Sequence, residues 1–115
     1  MDVTIYHNPR CSKSRQALEL LRKYGIEPTI VEYLRDPPGK KQLKELLDRL
    51  GMEPRDLMRK KEAAYRDLRL DDPGLSREQL IAALAEHPVL IERPIVVTDE
   101  GAVVGRPPEK ILDIL

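Results

Sequence analysis

In the stretch HNPRCSKSR, His7 to Arg15, the chain's single cysteine is preceded by arginine and followed by serine, lysine, serine and arginine. A thiol is a useful nucleophile once ionised, and fixed positive charge with helix-end amides lowers its pKa below about 8.5, by up to several units. Arg10, Lys13 and Arg15 supply charge, and a helix starting at Ser12 aims its unpaired N–H groups at Cys11. His7 and Ser14 are each spaced to hydrogen-bond the thiol, while His7 is equally suited to satisfying the turn. A lone cysteine is commonly a small buried hydrophobe, but these neighbours make a poor apolar cage. Cys11 is therefore the candidate nucleophile. With no second cysteine, an adduct on Cys11 has no internal thiol to resolve it, so an external thiol must do so. Ser14 in the last position of a C-x-x-S pattern argues against a dithiol oxidoreductase.

The elements around these residues set where they sit. Val3 and Ile5 alternate with Thr4 and Tyr6 as in a short strand, and Ser12 to Tyr24 carries Ala17, Leu18, Leu21 and Tyr24 at helical spacing, with Gly25 as its stop. Thr29 to Leu34 is rich in β-formers and completes a strand, helix, strand unit with parallel strands. Leu43, Leu46, Leu47 and Leu50 followed by Gly51 make an amphipathic helix. A shorter helical stretch, Pro54 to Lys61, leads on to Tyr65 and Leu68. Ser76 and Gln79 form a capping box for a helix that His87-Pro88 breaks. Ile95 to Thr98 and Ala102 to Gly105 read as an antiparallel hairpin, and Pro107 as the first turn of a terminal helix through Ile111 and Leu115. This order, β-α-β, a helical insert, then β-β-α, is that of a thioredoxin-like α/β fold with a helical insertion before the C-terminal hairpin and helix. In a parallel βαβ unit the ligand site lies beyond the carboxyl ends of the strands, where Cys11 falls.

Composition bounds the rest. The 115 residues suit one domain spanning 1–115, with a core of Leu, Ile, Val and Ala because Phe and Trp are absent. Twenty basic and twenty acidic residues cancel, which argues against nucleic acid or an anionic membrane as a partner, so any anion must be caught locally. No membrane-spanning run or signal-peptide segment is seen, and a lone thiol suits a reducing compartment, so a cytoplasmic location is expected, with no metal and no bound cofactor.

Four motifs, YHNPRCSKSR, LMRKKE, HPVLIERPIVV and GRPPEKILDIL, resemble in order and spacing the glutaredoxin-coupled arsenate reductase (ArsC) family, in a branch that carries HNPRCSKSR. The resemblance implies that Cys11 attacks arsenate and that Arg59, Arg93 and Arg106 hold oxyanion and product. It further implies that His7 and Ser14 help lower the pKa of Cys11, with glutathione as co-substrate and glutaredoxin as partner. Guanidinium forks suit a tetrahedral oxyanion better than ammonium groups do. Arg93 and Arg106 each precede a proline, and Pro94 stands where the thioredoxin-like fold carries a cis proline beside its cysteine. Ser12-Lys13 departs from the Gly-Thr usual in better known arsenate reductases, and Lys13 adds a charge suited to arsenate, another oxyanion or a glutathione carboxylate alike. The alternatives are a monothiol oxidoreductase acting on glutathione mixed disulfides and a redox regulator of the Spx type that binds RNA polymerase.

Overall fold

The computed structural model describes residues 2–115. They divide into two compact units, one running from the N-terminus to Asp36 and resuming over Arg93–Leu115, the other Pro37–Glu92.

The first unit is built on a four-stranded sheet of β1 (Thr4–Tyr6), β2 (Thr29–Val31), β3 (Ile95–Thr98) and β4 (Gly101–Val104), in the order β2-β1-β3-β4. β1 runs parallel to β2 and antiparallel to β3, which pairs antiparallel with β4. Helix α1 (Ser12–Lys23) links β1 to β2 and ends in a Schellman turn, in which Gly25, at φ 77°, donates to Arg22 O and Ile26 donates to Leu21 O. Ala17, Leu18 and Leu21 of α1 pack with Val3, Ile5, Val96, Ile111 and Ile114 in the core. The architecture is the thioredoxin-like α/β arrangement expected from the order of elements.

Three expectations are corrected in this unit. The second strand stops at Val31, because the backbone turns at once and Glu32 O accepts from the N–H groups of Arg35 and Asp36. Tyr24 does not share the buried face of α1 but stands 57% exposed at the helix cap, whereas Tyr33, at 1%, is in the interior, so the core is not purely aliphatic. The terminal helix is a 3-10 helix, Pro108–Ile114, with Pro107 as its N-cap rather than in its first turn. Thr98 Oγ1 donates to Ile114 O at 2.7 Å and anchors it to the hairpin.

The second unit holds α2 (Lys40–Leu50), α3 (Ala63–Asp67) and α4 (Arg77–Glu86). Leu43, Leu46 and Leu47 of α2 and Leu80, Ile81 and Leu84 of α4 are buried, and the two helices pack together. Ser76 accepts from the Gln79 N–H and Gln79 accepts from the Ser76 N–H, closing the capping box. The helical stretch expected over Pro54 to Lys61 is instead a 3-10 turn, Pro54–Leu57, followed by extended backbone at Met58. There Met58 forms an antiparallel bridge with Ile91, flanked by Arg59 N–H to Leu90 O at 2.7 Å and Glu92 N–H to Leu57 O at 2.8 Å, and those bonds displace helical ones.

Gly105 is buried where a Cβ would come within 3.2 Å of both Pro94 Cγ and Ile111 Cδ1. Overpacking of this kind costs about 1–3 kcal/mol. Gly105→Ala is expected to lower stability by that amount in urea denaturation, and an unchanged midpoint would show that the Pro94 and Ile111 side chains yield freely.

Candidate active site

Strand register assembles the site. Tyr6, the last residue of β1, pairs with Ile95, the first of β3, and Ile95 pairs with Val104, the last of β4. Pairing continues one step outward, where Gly105 N–H donates to Pro94 O at 2.9 Å. The residues just beyond, His7 after β1, Arg93 before β3 and Arg106 after β4, therefore gather at one end of the sheet. On the other side His7 N–H donates to Val31 O at 2.8 Å, which brings Glu32 to the same end. Both arginines precede a cis peptide bond, Arg93–Pro94 and Arg106–Pro107; the second was not anticipated from the sequence.

The turn from β1 into α1 is held by its own polar groups. Cys11 is the N-cap of α1 with extended backbone, its N–H donating to Asn8 O at 3.0 Å. Asn8 Oδ1 accepts from the Arg10 N–H, and Arg15 Nη1 donates to Pro9 O. Ser14 is fully buried; its Oγ lies 2.6 Å from His7 Nδ1 and accepts from the Asn8 N–H at 3.0 Å. With that lone pair taken by Asn8, the hydroxyl proton is free to run to His7 Nδ1 when the imidazole is neutral and protonated on Nε2. His7 thus engages Ser14, and it is the backbone of Ser14 that acts on the cysteine.

Cys11 is partly exposed and makes no cap hydrogen bond of full geometry. Partial burial is the largest influence on its thiol and pushes the pKa up. Against it stand the Ser14 N–H, the charge of Arg93, the Lys13 N–H and a contact from the Arg93 guanidinium; together they outweigh burial and hold the pKa below the ordinary thiol value. Arg93 Nε is buried and has no hydrogen-bond partner among the described residues. A buried, unsatisfied guanidinium N–H is costly, so beside the sulfur it is a ready donor for an anion. Arg106 is exposed, and among the described residues only its backbone is bonded, N–H to Val104 O. Arg59 belongs to the second unit, where Nη1 pairs with Glu62 at 2.8 Å and reaches Val89 O at 3.5 Å.

Burial is the main reason that His7 has a pKa below the usual histidine value; Glu32 opposes the shift, and Arg22 and Arg15 add to it. Asn8 and Glu32 were missed as participants. The Asn-Pro dipeptide is the signal that marks Asn8 as a turn former, and the parallel register of β2 with β1 is what points to Glu32.

The ArsC family model matches residues 6–114. Protein YfgD of Escherichia coli K12, itself uncharacterized, is 53% identical over 98% of this chain and 96% of its own length. An arsenate reductase of Neisseria meningitidis serogroup B is 47% identical, covering 99% of this chain and 98% of its own. The solved structure titled arsenate reductase from Vibrio cholerae superposes with a TM-score of 0.98 at 53% identity, over 100% of this chain and 98% of that one.

Two outcomes are expected from these electrostatics. Thiolate absorbance against pH is expected to give a Cys11 pKa below that of a free thiol, and Arg93→Ala to raise it; no change in that variant would remove Arg93 from the thiolate's environment. The His7 pKa is lowered in the fold by burial, so the unfolded chain binds the proton more readily, and stability present above about pH 6.5 is lost as pH falls below that value. Urea midpoints between pH 7.5 and 5.5 are expected to fall for the native chain and to fall less for His7→Gln; equal slopes would place the titration elsewhere. Family model, relatives and fold agree over nearly the whole length: the chain belongs to the ArsC family.

Proposed function

We propose that the chain is an arsenate reductase that draws its electrons from glutathione and glutaredoxin. The observation that supports this reading most directly is the pairing of a cysteine biased toward thiolate with Arg93, whose buried Nε lacks a partner. Arsenate is a tetrahedral oxyanion, and attack on it by a thiolate is opposed by charge repulsion that Arg93 and the amides at the start of α1 offset. Arg106, at the same sheet end, serves in this reading as a further oxyanion donor, Arg59 is assigned that role by the family resemblance alone, and His7 with Ser14 fixes the turn behind the sulfur.

In the first step the Cys11 thiolate forms a sulfur–arsenic bond, and one arsenate oxygen leaves as water after protonation. A glutathione thiolate then attacks the Cys11 sulfur. A sulfur–sulfur bond forms, the sulfur–arsenic bond breaks with its electron pair going to arsenic, and As(V) departs as As(III). Cys11 is left as a mixed disulfide with glutathione, which a glutaredoxin thiol removes by exchange. Lacking a second cysteine, the chain cannot complete this cycle alone.

Intact-mass spectrometry is expected to show an arsenic or glutathione adduct that depends on arsenate and is lost in Cys11→Ser, with arsenite exceeding one equivalent only when glutathione and glutaredoxin are both present. Arg93→Lys is expected to lower kcat/KM by roughly ten-fold or more, since a point charge does not replace a guanidinium fork. Sustained turnover with no added thiol would overturn the mechanism. Glutathione addition indifferent to arsenate would favour a monothiol oxidoreductase acting on mixed disulfides.

A further inference from the structure

Within the first unit lies an open groove of about 450 Å³ between α1 and the start of the terminal 3-10 helix. Lys13, Gln16 and Glu19 line one wall, and Pro107, Pro108 and Glu109 the other. Its charges alternate in sign, and none of Lys13, Glu19 or Glu109 is in an ion pair among the described residues, although Arg22, on the same helix as Lys13 and Glu19, is paired with Glu27. The groove begins within one helical turn of the cysteine, since Lys13 in its lining stands two residues beyond Cys11, the N-cap of α1.

We propose that this groove binds the γ-glutamyl arm of the external glutathione-type thiol and so delivers its sulfur to Cys11; the proposal rests on the reading above in taking glutathione as the reductant. A γ-glutamyl end carries an ammonium and a carboxylate on one carbon, which matches a wall with Lys13 and a wall with Glu109, whereas the glycyl end carries a carboxylate alone. Reach agrees. An extended tripeptide spans about 10–11 Å, so with its central sulfur at Cys11 one arm covers only the near part of the groove. Lys23, which also lines the groove, lies ten residues beyond Lys13 along α1, about 15 Å at the helical rise, and is out of range. Prolines 107 and 108 give the wall opposite Lys13 a backbone without N–H donors, so polar recognition on that wall falls to Glu109.

The test needs no arsenate. The Cys11 thiolate attacks glutathione disulfide, a new sulfur–sulfur bond forms to Cys11, the old one breaks, and one glutathione thiolate leaves, which intact mass follows in time. Each rate is divided by that for the neutral hydroxyethyl disulfide, so that a change in thiol reactivity cancels. Lys13→Glu and Glu109→Lys are each expected to lower this ratio roughly three- to ten-fold, the size of a single exposed charge contact, and Lys23→Glu to leave it unchanged. The disulfide of γ-glutamylcysteine is expected to react like glutathione disulfide, and that of cysteinylglycine to lose the preference. Equal ratios in all variants, an equal loss in Lys23→Glu, or a preference retained by cysteinylglycine disulfide would overturn the proposal. Failure of arsenate reduction with intact groove selectivity would overturn only the reading on which the choice of reductant rests.

Discussion

The register between β1 and β3 is the constraint on which the site depends. Because Tyr6 pairs with Ile95 in antiparallel sense, the chain leaving β1 and the chain entering β3 meet at one sheet end, and the thiol at the head of α1 acquires Arg93 from 82 residues further along the chain. A slip of one residue would turn Ile5 and Val96, both fully buried, toward the opposite face, so burial of the sheet fixes the register and the register fixes the site. Gly105 extends the argument to β4, since its close approach to Pro94 and Ile111 keeps the segment that carries Arg106 against the same end.

At that end the chemistry is a balance of opposed effects on one sulfur. Burial alone would raise the Cys11 pKa. Two backbone amides and one guanidinium reverse the result. The amides come without side-chain entropy cost, because helix geometry orients them, whereas Arg93 keeps a donor in reserve at Nε. His7 and Ser14 act at one remove. Their 2.6 Å contact, with the Asn8 N–H on the same hydroxyl, fixes where the Ser14 amide points.

Much of this was readable from the sequence where the signal is local. The β-α-β unit, the Leu43 to Leu50 helix and the Ser76 capping box follow from periodicity and capping chemistry, as does the helix start whose amides face Cys11, but the charge acting on the thiol is that of Arg93 rather than of the neighbouring Arg10, Lys13 and Arg15. What escaped depends on partners remote in the chain. Met58 leaves the helix because Ile91 offers it a bridge, and Tyr33 is buried while Tyr24 is not, neither of which a window of neighbours contains. The terminal segment has helical spacing in either form; Thr98 bonding to the carbonyl of Ile114 is one long-range tie that a local pattern does not display. Nor does any pattern disclose that Arg93 Nε is left without a partner.

The turn that carries the thiol divides its own residues into two kinds. His7, Asn8 and Ser14 are interlocked, and a change at any of them is felt by the others. Arg10, Ser12 and Lys13, interleaved with them, point exposed side chains outward, none of which is bonded to another described residue. Sequence drift is therefore cheap at these three positions and expensive at their neighbours. A lineage can retune the charge and shape presented to an incoming molecule while the scaffold under the sulfur stays as it is, so that selectivity evolves separately from foldability within one nine-residue turn.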